Sequence, residues 1–265
     1  MKKYAYYHMY LTDDIAAWSI FLIDNFKKIE DAGLLDELEK IYLTVIGNHD
    51  NIGMVIALAK TLSDKYEIVA YQNTFESDAD LNILDQHTEK AINQVNENVT
   101  IKLLYDHACR EDAYFLYNHS KGITSFERML KNGHFNTFIN YYYWKEYISW
   151  GVIDKWKDCI NALDNSYDVS GANYFSFPEK HYSGNFWWSK SSHITKLPDP
   201  ITHDWWFDLQ RNHWNNHIRN ASIRFKDEMW VCINKDTKIF NISDIEPLIG
   251  TKLLYEKRAI KKLYV

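Results

Sequence analysis

Two short segments carry side chains whose types and spacing could do chemistry. In Tyr114–Gly122, YFLYNHSKG, an apolar run reads as a strand that delivers His119 and Lys121 to a loop, and Gly122 lets that loop turn sharply. Exposed backbone N–H groups, an ammonium and an imidazole together suit a diphosphate. The second segment, Asp227-Glu228-Met229-Trp230, follows Ile223-Arg224-Phe225 and begins an apolar turn. A carboxylate there could take the proton of an attacking hydroxyl. Acids at a helix start also stabilise the helix dipole, and the two roles do not exclude each other.

A third segment, His181–Pro198, HYSGNFWWSKSSHITKLP, sets Ser183, Gly184 and Asn185 directly before Phe186, Trp187 and Trp188. Neighbouring side chains on a strand point to opposite faces, so one indole is expected in a core and the other in a cleft. A cleft-facing indole offers a flat apolar surface and one N–H donor, which suits a sugar ring. Core packing of both indoles is the competing reading.

Other constellations carry less. Asp78-Ala79-Asp80 has the spacing of a hard-metal site, but it falls after the third expected strand, where helix capping is the simpler reading. His213-x-x-x-His217, with His203 nearby, has zinc-like spacing, yet no Glu follows His213 as a metalloprotease motif requires. G-x-G-x-x-G, Walker A and G-x-S-x-G patterns do not occur, which weakens dinucleotide, NTPase and serine-hydrolase readings.

The elements that must position these groups follow from periodicity. Tyr4–Leu11 reads as a first strand, and Thr12, Asp13 and Asp14 cap a helix whose apolar face is Ile15, Trp18, Ile20, Phe21, Phe26 and Ile29. Gly33 ends that helix or makes the turn after it. Strands are expected at Ile41–Ile46, Tyr66–Gln72 and Asp112–Tyr117, with helices between them. That alternation predicts an α/β fold with a mostly parallel sheet covered on both faces. Ligands of such sheets sit outside the carboxyl ends of the strands, where Thr12, Asn48, Asn73 and His119 would cluster. Phe135–Leu163 reads as helical and aromatic-rich, Tyr167–Phe175 and Tyr182–Trp188 as strands, and Asp204–Arg219 and Glu228–Ile233 as helices. With 4 prolines, 9 glycines and no low-complexity linker, residues 1–265 read as one domain.

Composition narrows the classes. A net charge of −6 argues against a general nucleic-acid binder. The 3 cysteines, Cys109, Cys159 and Cys232, lie in apolar runs and read as buried free thiols of a reducing compartment. The N-terminus is too short and polar in its apolar part for a signal peptide, and no run approaches a membrane span. Asn98, Asn118, Asn220 and Asn241 fit the glycosylation acceptor pattern, and without a secretory signal they read as chance matches. A cytoplasmic protein is expected. The basic C-terminal end (Lys252, Lys257, Arg258, Lys261, Lys262) reads as a solvated helix, with weak peripheral membrane contact as the alternative.

The "SGNFWW…LP" segment, the YNHSKG loop and the acid-x-Trp pattern at Glu228 together resemble the signatures of small viral and bacterial glycosyltransferases, including those of rhamnan-synthesis type. The opening YYHMYLTDDIAAWSIF and the Asp31-Ala-Gly-Leu-Leu turn extend the similarity over most of Tyr4–Ile233. In the "LHTKG" signature of that family, Asn118 and Ser120 stand here for the commoner Leu and Thr. The resemblance implies a GT-A-like, Rossmann-like α/β fold with an aromatic-rich helical acceptor side. It implies transfer of a sugar from a nucleotide-sugar donor to a glycan acceptor, and cytoplasmic action, in the host's cytoplasm for a viral member. The nucleotide-sugar half would span about 1–125, with Thr12 and Asn48 near base or ribose and Asn118, His119, Lys121 and Gly122 at the diphosphate. The acceptor half would span about 126–265, with Asn185, Trp187 and Trp188 lining the cleft and Glu228, or else Asp227, as the base. Where most such enzymes carry Asp-x-Asp holding Mn²⁺, this chain has His-x-Lys, so Mn²⁺ or Mg²⁺ is compatible with the pattern but not required. One base and one stabilised leaving group suffice for an inverting displacement. The rival from another class is a non-catalytic, lectin-like glycan-binding protein, which would have no use for His119-x-Lys121 at a sheet edge.

Overall fold

Burial on both faces from Tyr4 to Met9 makes β1 (Lys2–Tyr10) a central strand. Tyr4 and Tyr6 enter one buried layer, while Ala5, Tyr7 and Met9 enter the other. The computed structural model describes residues 1–47, 49–73, 82–83, 97–202, 204–213, 215, 218 and 225–243.

Asp14 caps α1 (Ile15–Asp31) by accepting the Ala17 N–H at 3.0 Å. Gly33, at φ 64, makes the turn into the short α2 (Leu34–Glu37). β2 (Lys40–Gly47), α3 (His49–Leu62), β3 (Tyr66–Asn73) and the two-residue β4 (Asn82–Ile83) follow. α4 (Asn98–Ala108) leads into β5 (Ala113–His119), buried along its whole length, and then α5 (Ile123–Asn132). The aromatic-rich stretch forms α6 (Phe135–Ser149), a π-helical turn (Trp150–Asp154) and α7 (Trp156–Asp164). The chain continues through β6 (Val169–Gly171), β7 (Tyr174–Phe175), β8 (His181–Tyr182), β9 (Trp187–Lys190), α8 (Ser191–Ile194), α9 (Asp204–Asn212), α10 (Phe225–Trp230) and β10 (Ile239–Asn241).

The main sheet has the order β10-β6-β9-β5-β1-β2-β3-β4, and β7 and β8 form a small separate hairpin. The pairs β1–β2, β2–β3, β1–β5 and β6–β10 are parallel; β9 runs antiparallel between β5 and β6, and β4 runs antiparallel to β3. The fold is therefore α/β with a mostly parallel sheet. The order steps outward from β1 to β2 and β3 on one side and restarts with β5 on the other. Such a reversal opens a crevice at the carboxyl ends of β1 and β5.

Helices cover both faces. Trp18, Phe21 and Leu22 of α1, Ile52 and Val55 of α3 and Cys159 and Leu163 of α7 pack one layer against Tyr114, Leu116 and Trp188. Ile101 and Leu104 of α4, Ile194 of α8 and Trp230 of α10 pack the other against Phe115, Tyr117 and Trp187. Among the described residues no helix is long and apolar enough to cross a membrane.

Three expectations are corrected. Ile15 and Ile20 are about half exposed and leave the buried face of α1 to Ala17, Trp18, Phe21, Leu22 and Asn25. The segment Tyr182–Trp188 is not one strand: Gly184 at φ 98 and Asn185 at φ 57 turn the chain between β8 and β9. Cys109 is exposed, whereas Cys159 and Cys232 are buried; all three are free thiols.

Candidate functional site

His8 and His119 are register partners on β1 and β5 and project from the same face at the carboxyl ends of those strands. Ser120 ties the strand ends together. Its Oγ accepts the Tyr10 N–H at 2.9 Å, and its own N–H donates to the His8 carbonyl at 3.0 Å. Above this edge lies a cleft of about 420 Å³. Its walls include His8, Tyr10, His119 and Lys121 from the sheet edge, Thr124, Ser125 and Arg128 from α5, and Glu97, Asp227 and Glu228 from the starts of α4 and α10. The YNHSKG loop and the Asp227-Glu228 pair, more than a hundred residues apart in sequence, thus open onto one space.

Gly122 makes the loop. It sits at φ 87, and a Cβ there would lie 3.0 Å from that of Tyr141, so both the backbone angle and the neighbour demand glycine. Lys121 then points over the ring of Trp144, 4.4 Å from its centroid, and its Nζ lies 3.7 Å from Glu228 Oε1. Both side chains are nearly nine-tenths buried, so water screens this pair less than a surface one.

The floor of the acidic side is a hydrogen-bond chain centred on Glu97. Glu97 Oε2 accepts from the Tyr117 hydroxyl at 2.8 Å and from Asn185 Nδ2 at 2.7 Å. Its Oε1 lies 3.5 Å from His119 Nδ1. His119 Nε2 contacts the Gly184 carbonyl at 2.9 Å. A carbonyl can only accept, so Nε2 carries the proton and Nδ1 is the nitrogen that faces Glu97. Asn185 Oδ1 in turn accepts from Trp187 Nε1 at 2.8 Å. The SGN turn therefore grips His119 and Glu97 from below.

Titration follows burial. Desolvation holds the His8 imidazole down at about 4, against a raising influence of Glu97, so this ring is neutral at neutral pH; its Nδ1 bonds the Thr100 hydroxyl at 2.8 Å. Asp227 is 3% exposed, and burial followed by the nearby Glu97 charge pushes its carboxyl well above the usual carboxylate range, despite the Asn98 N–H that donates to it. The adjacent Asp227 and Glu228 are thus unlike: both line the cleft, but burial pushes one toward its protonated form, against the nearby Lys226, while the other lies beside an ammonium.

The sequence-derived candidates divide accordingly. His119, Lys121, Gly122, Asp227 and Glu228 meet in the cleft. Asn118 does not: alternation along β5 turns it to the opposite face, where its Nδ2 donates to Asn25 Oδ1. Thr12 is buried and its hydroxyl donates to the Asp14 carbonyl at 3.4 Å. Asn185, Trp187 and Trp188 are fully buried and are not among the walls of this cleft. The two indoles do take opposite faces of β9, but both faces are covered there. Trp187 stacks on Tyr117 at 5.3 Å, and Trp188 Nε1 donates to the Val152 carbonyl at 2.7 Å. Asn48, Asp78, Asp80, His203, His217 and the basic C-terminal end lie outside the described residues, and Asn73 ends β3. Among the described residues no three His, Cys, Asp or Glu side chains are grouped to hold a metal ion.

Glu97, His8, Tyr10, Tyr141, Ser125 and Arg128 join the site without having been singled out. A histidine near the end of an aromatic strand was the one local signal among them.

No curated protein and no solved structure matches the chain significantly. Residues 6–232 match the family model described as Domain of unknown function (DUF8361), and the chain belongs to that family.

Proposed function

We propose that the chain is a glycosyltransferase of GT-A-like architecture that moves a sugar from a nucleotide-diphosphate donor to a glycan hydroxyl with inversion. The observation that carries this reading is one cleft, at the reversal point of the sheet, that holds both cations and carboxylates. Lys121 and Arg128 line it together with Glu97, Asp227 and Glu228, and Lys121 Nζ lies 3.7 Å from Glu228 Oε1. A displacement at an anomeric carbon needs both kinds of group within reach of one substrate. The acceptor oxygen bonds to the carbon as the bond to the phosphate oxygen breaks. The acceptor proton passes to Glu228, and the negative charge that develops on the departing diphosphate meets Lys121. Substrate entering between Lys121 and Glu228 would separate that pair and give each its own partner. Glu97 already accepts two hydrogen bonds, and burial beside Glu97 disfavours the ionised form of Asp227 that a hard metal ion needs, so these carboxylates are poorly suited to a metal.

The lectin-like alternative loses its main support, because the tandem indoles that would have formed a sugar platform are buried. The test uses the full chain with UDP-, GDP- and dTDP-sugars, scored by melting temperature and by product formation. A donor should stabilise the protein. Glu228→Gln should keep that stabilisation while lowering transfer by about 10²–10⁴-fold, the usual contribution of a general base. Stabilisation by glycans alone, with no response to any nucleotide sugar, would restore the lectin reading.

A further inference from the structure

We propose that the first turn of α5 is a phosphoryl-anion cradle in which Ser125 and Arg128 hold a phosphate of the donor diphosphate, with Lys121 as the adjoining cation. The proposal rests on the donor reading for the origin of that phosphate, but its geometry stands alone. α5 is ten residues long, and its N-cap is Gly122, a residue with no side chain to cap it. The Ile123 N–H donates to the Ser120 carbonyl at 3.3 Å and the Ser125 N–H to that of Gly122 at 3.0 Å, so among the described residues the first turn offers a ligand the Thr124 N–H and the partial positive charge of the helix end. That alone would not make a site.

The second observation is Ser125. It is only 7% exposed and lines the cleft, yet its hydroxyl makes no hydrogen bond among the described residues. A helical serine turned into a cleft can ordinarily bond back to its own helix; this hydroxyl is left for a ligand. Arg128, one turn on in sequence and on the same wall, makes no ion pair among the described residues, whereas Lys131 at the far end of α5 is paired with Glu127 at 2.8 Å. Thr124 adds a further hydroxyl to that wall. Two hydroxyls, a guanidinium and an ammonium around a helix N-terminus match the acceptor-rich, negatively charged surface of a phosphate, and the guanidinium can engage two of its oxygens at once.

The probe is inorganic pyrophosphate titrated into the full chain by calorimetry, with orthophosphate and sulfate as comparison arms. Pyrophosphate should bind saturably and more tightly than either single anion, because Lys121 lines the same cleft as the α5 turn and gives a second phosphoryl group its own cation. Arg128→Gln should weaken it by about ten- to hundredfold, the range expected for a charge-assisted hydrogen bond, and Ser125→Ala by about three- to tenfold. Lys131→Gln removes the same charge from the other end of the helix and should leave binding unchanged. Among the described residues neither the Ser125 hydroxyl nor the Arg128 guanidinium bonds another group, so melting temperatures should hold, and a held melting temperature separates weakened binding from unfolding. Equal loss in Arg128→Gln and Lys131→Gln would reduce the effect to net charge and overturn the cradle, as would wild-type affinity in both cleft variants. Nucleotide-sugar transfer with an unaltered donor KM in both variants would sink the cradle and spare the transferase. Residue-dependent pyrophosphate binding in a protein that turns over no nucleotide sugar would do the reverse.

Discussion

The segments Tyr114–Gly122 and His181–Trp188 are neighbours through β5 and β9, with Tyr117 opposite Trp187, yet they use their side chains in opposite ways. The first carries its polar residues past the end of the sheet, so His119, Lys121 and Gly122 open onto the cleft. The second turns back before reaching the cleft and buries Asn185, Trp187 and Trp188 completely. One supplies side chains to the cleft, and the other fixes where they stand. The Gly184 carbonyl and the Asn185 amide hold His119 and Glu97 from beneath, and Trp187 holds Asn185. A conspicuous aromatic motif beside a cleft can therefore be scaffold for a quieter motif next to it.

The sharpest way to break that contrast is Trp187→Ala. A fully buried indole stacked on Tyr117 should leave a cavity costing about 3–5 kcal/mol, read as a lower denaturant midpoint. Trp188→Ala should behave alike through the opposite layer. A sugar platform would behave otherwise, with stability kept and acceptor KM raised; that result would return both indoles to the binding surface.

Lys121→Met tests the working segment. The methionine can still lie over Trp144, so the melting temperature should change little. Under the proposed reaction, turnover should fall by about 10²–10³-fold, as for other groups that stabilise charge only in the transition state, with donor KM less affected. Turnover within about twofold of wild type would remove Lys121 from the leaving group.

How much of this was legible in the sequence follows from the range of the interactions. The strand-helix alternation of the first half and the cap at Asp14 are local, and they lie where periodicity put them. His119, Lys121 and Gly122 sit within four consecutive residues, so their shared loop could be read as well. Glu97 could not. Its role comes from Tyr117 and Asn185, 20 and 88 residues away, and nothing in its own surroundings announces it. For the tandem tryptophans, a period of two correctly separates their faces. Whether a face is core or cleft depends on which helices pack over β9, and α7 and α10 cover both sides. Asn118 failed for the same reason: alternation turned it to the α1 side, while the loop that follows it turned to the cleft.

The smallest expected effect concerns the acidic pair. The folded-state pKa of Asp227 is raised by burial and by Glu97. Above the ordinary aspartate pKa near 4, the unfolded chain has released this proton while the folded chain still holds it. Stability then falls as pH rises through that window, because the folded state binds more protons than the unfolded one. Asp227→Asn removes the titration and keeps an oxygen to accept the Asn98 N–H. The variant should therefore melt slightly above wild type at pH 7–8, and the gap should close as the pH is lowered toward 4. A chain of this size shifts by only about 2–4 °C per kcal/mol, so paired melts across the pH series are needed. A variant that melts lower than wild type by the same amount at every pH would make Asp227 an ionised cap, worth about 1 kcal/mol. Should Asp227→Asn also abolish transfer while Glu228→Gln does not, the proton acceptor is the buried member of the pair, and Lys121 beside Glu228 is a structural contact.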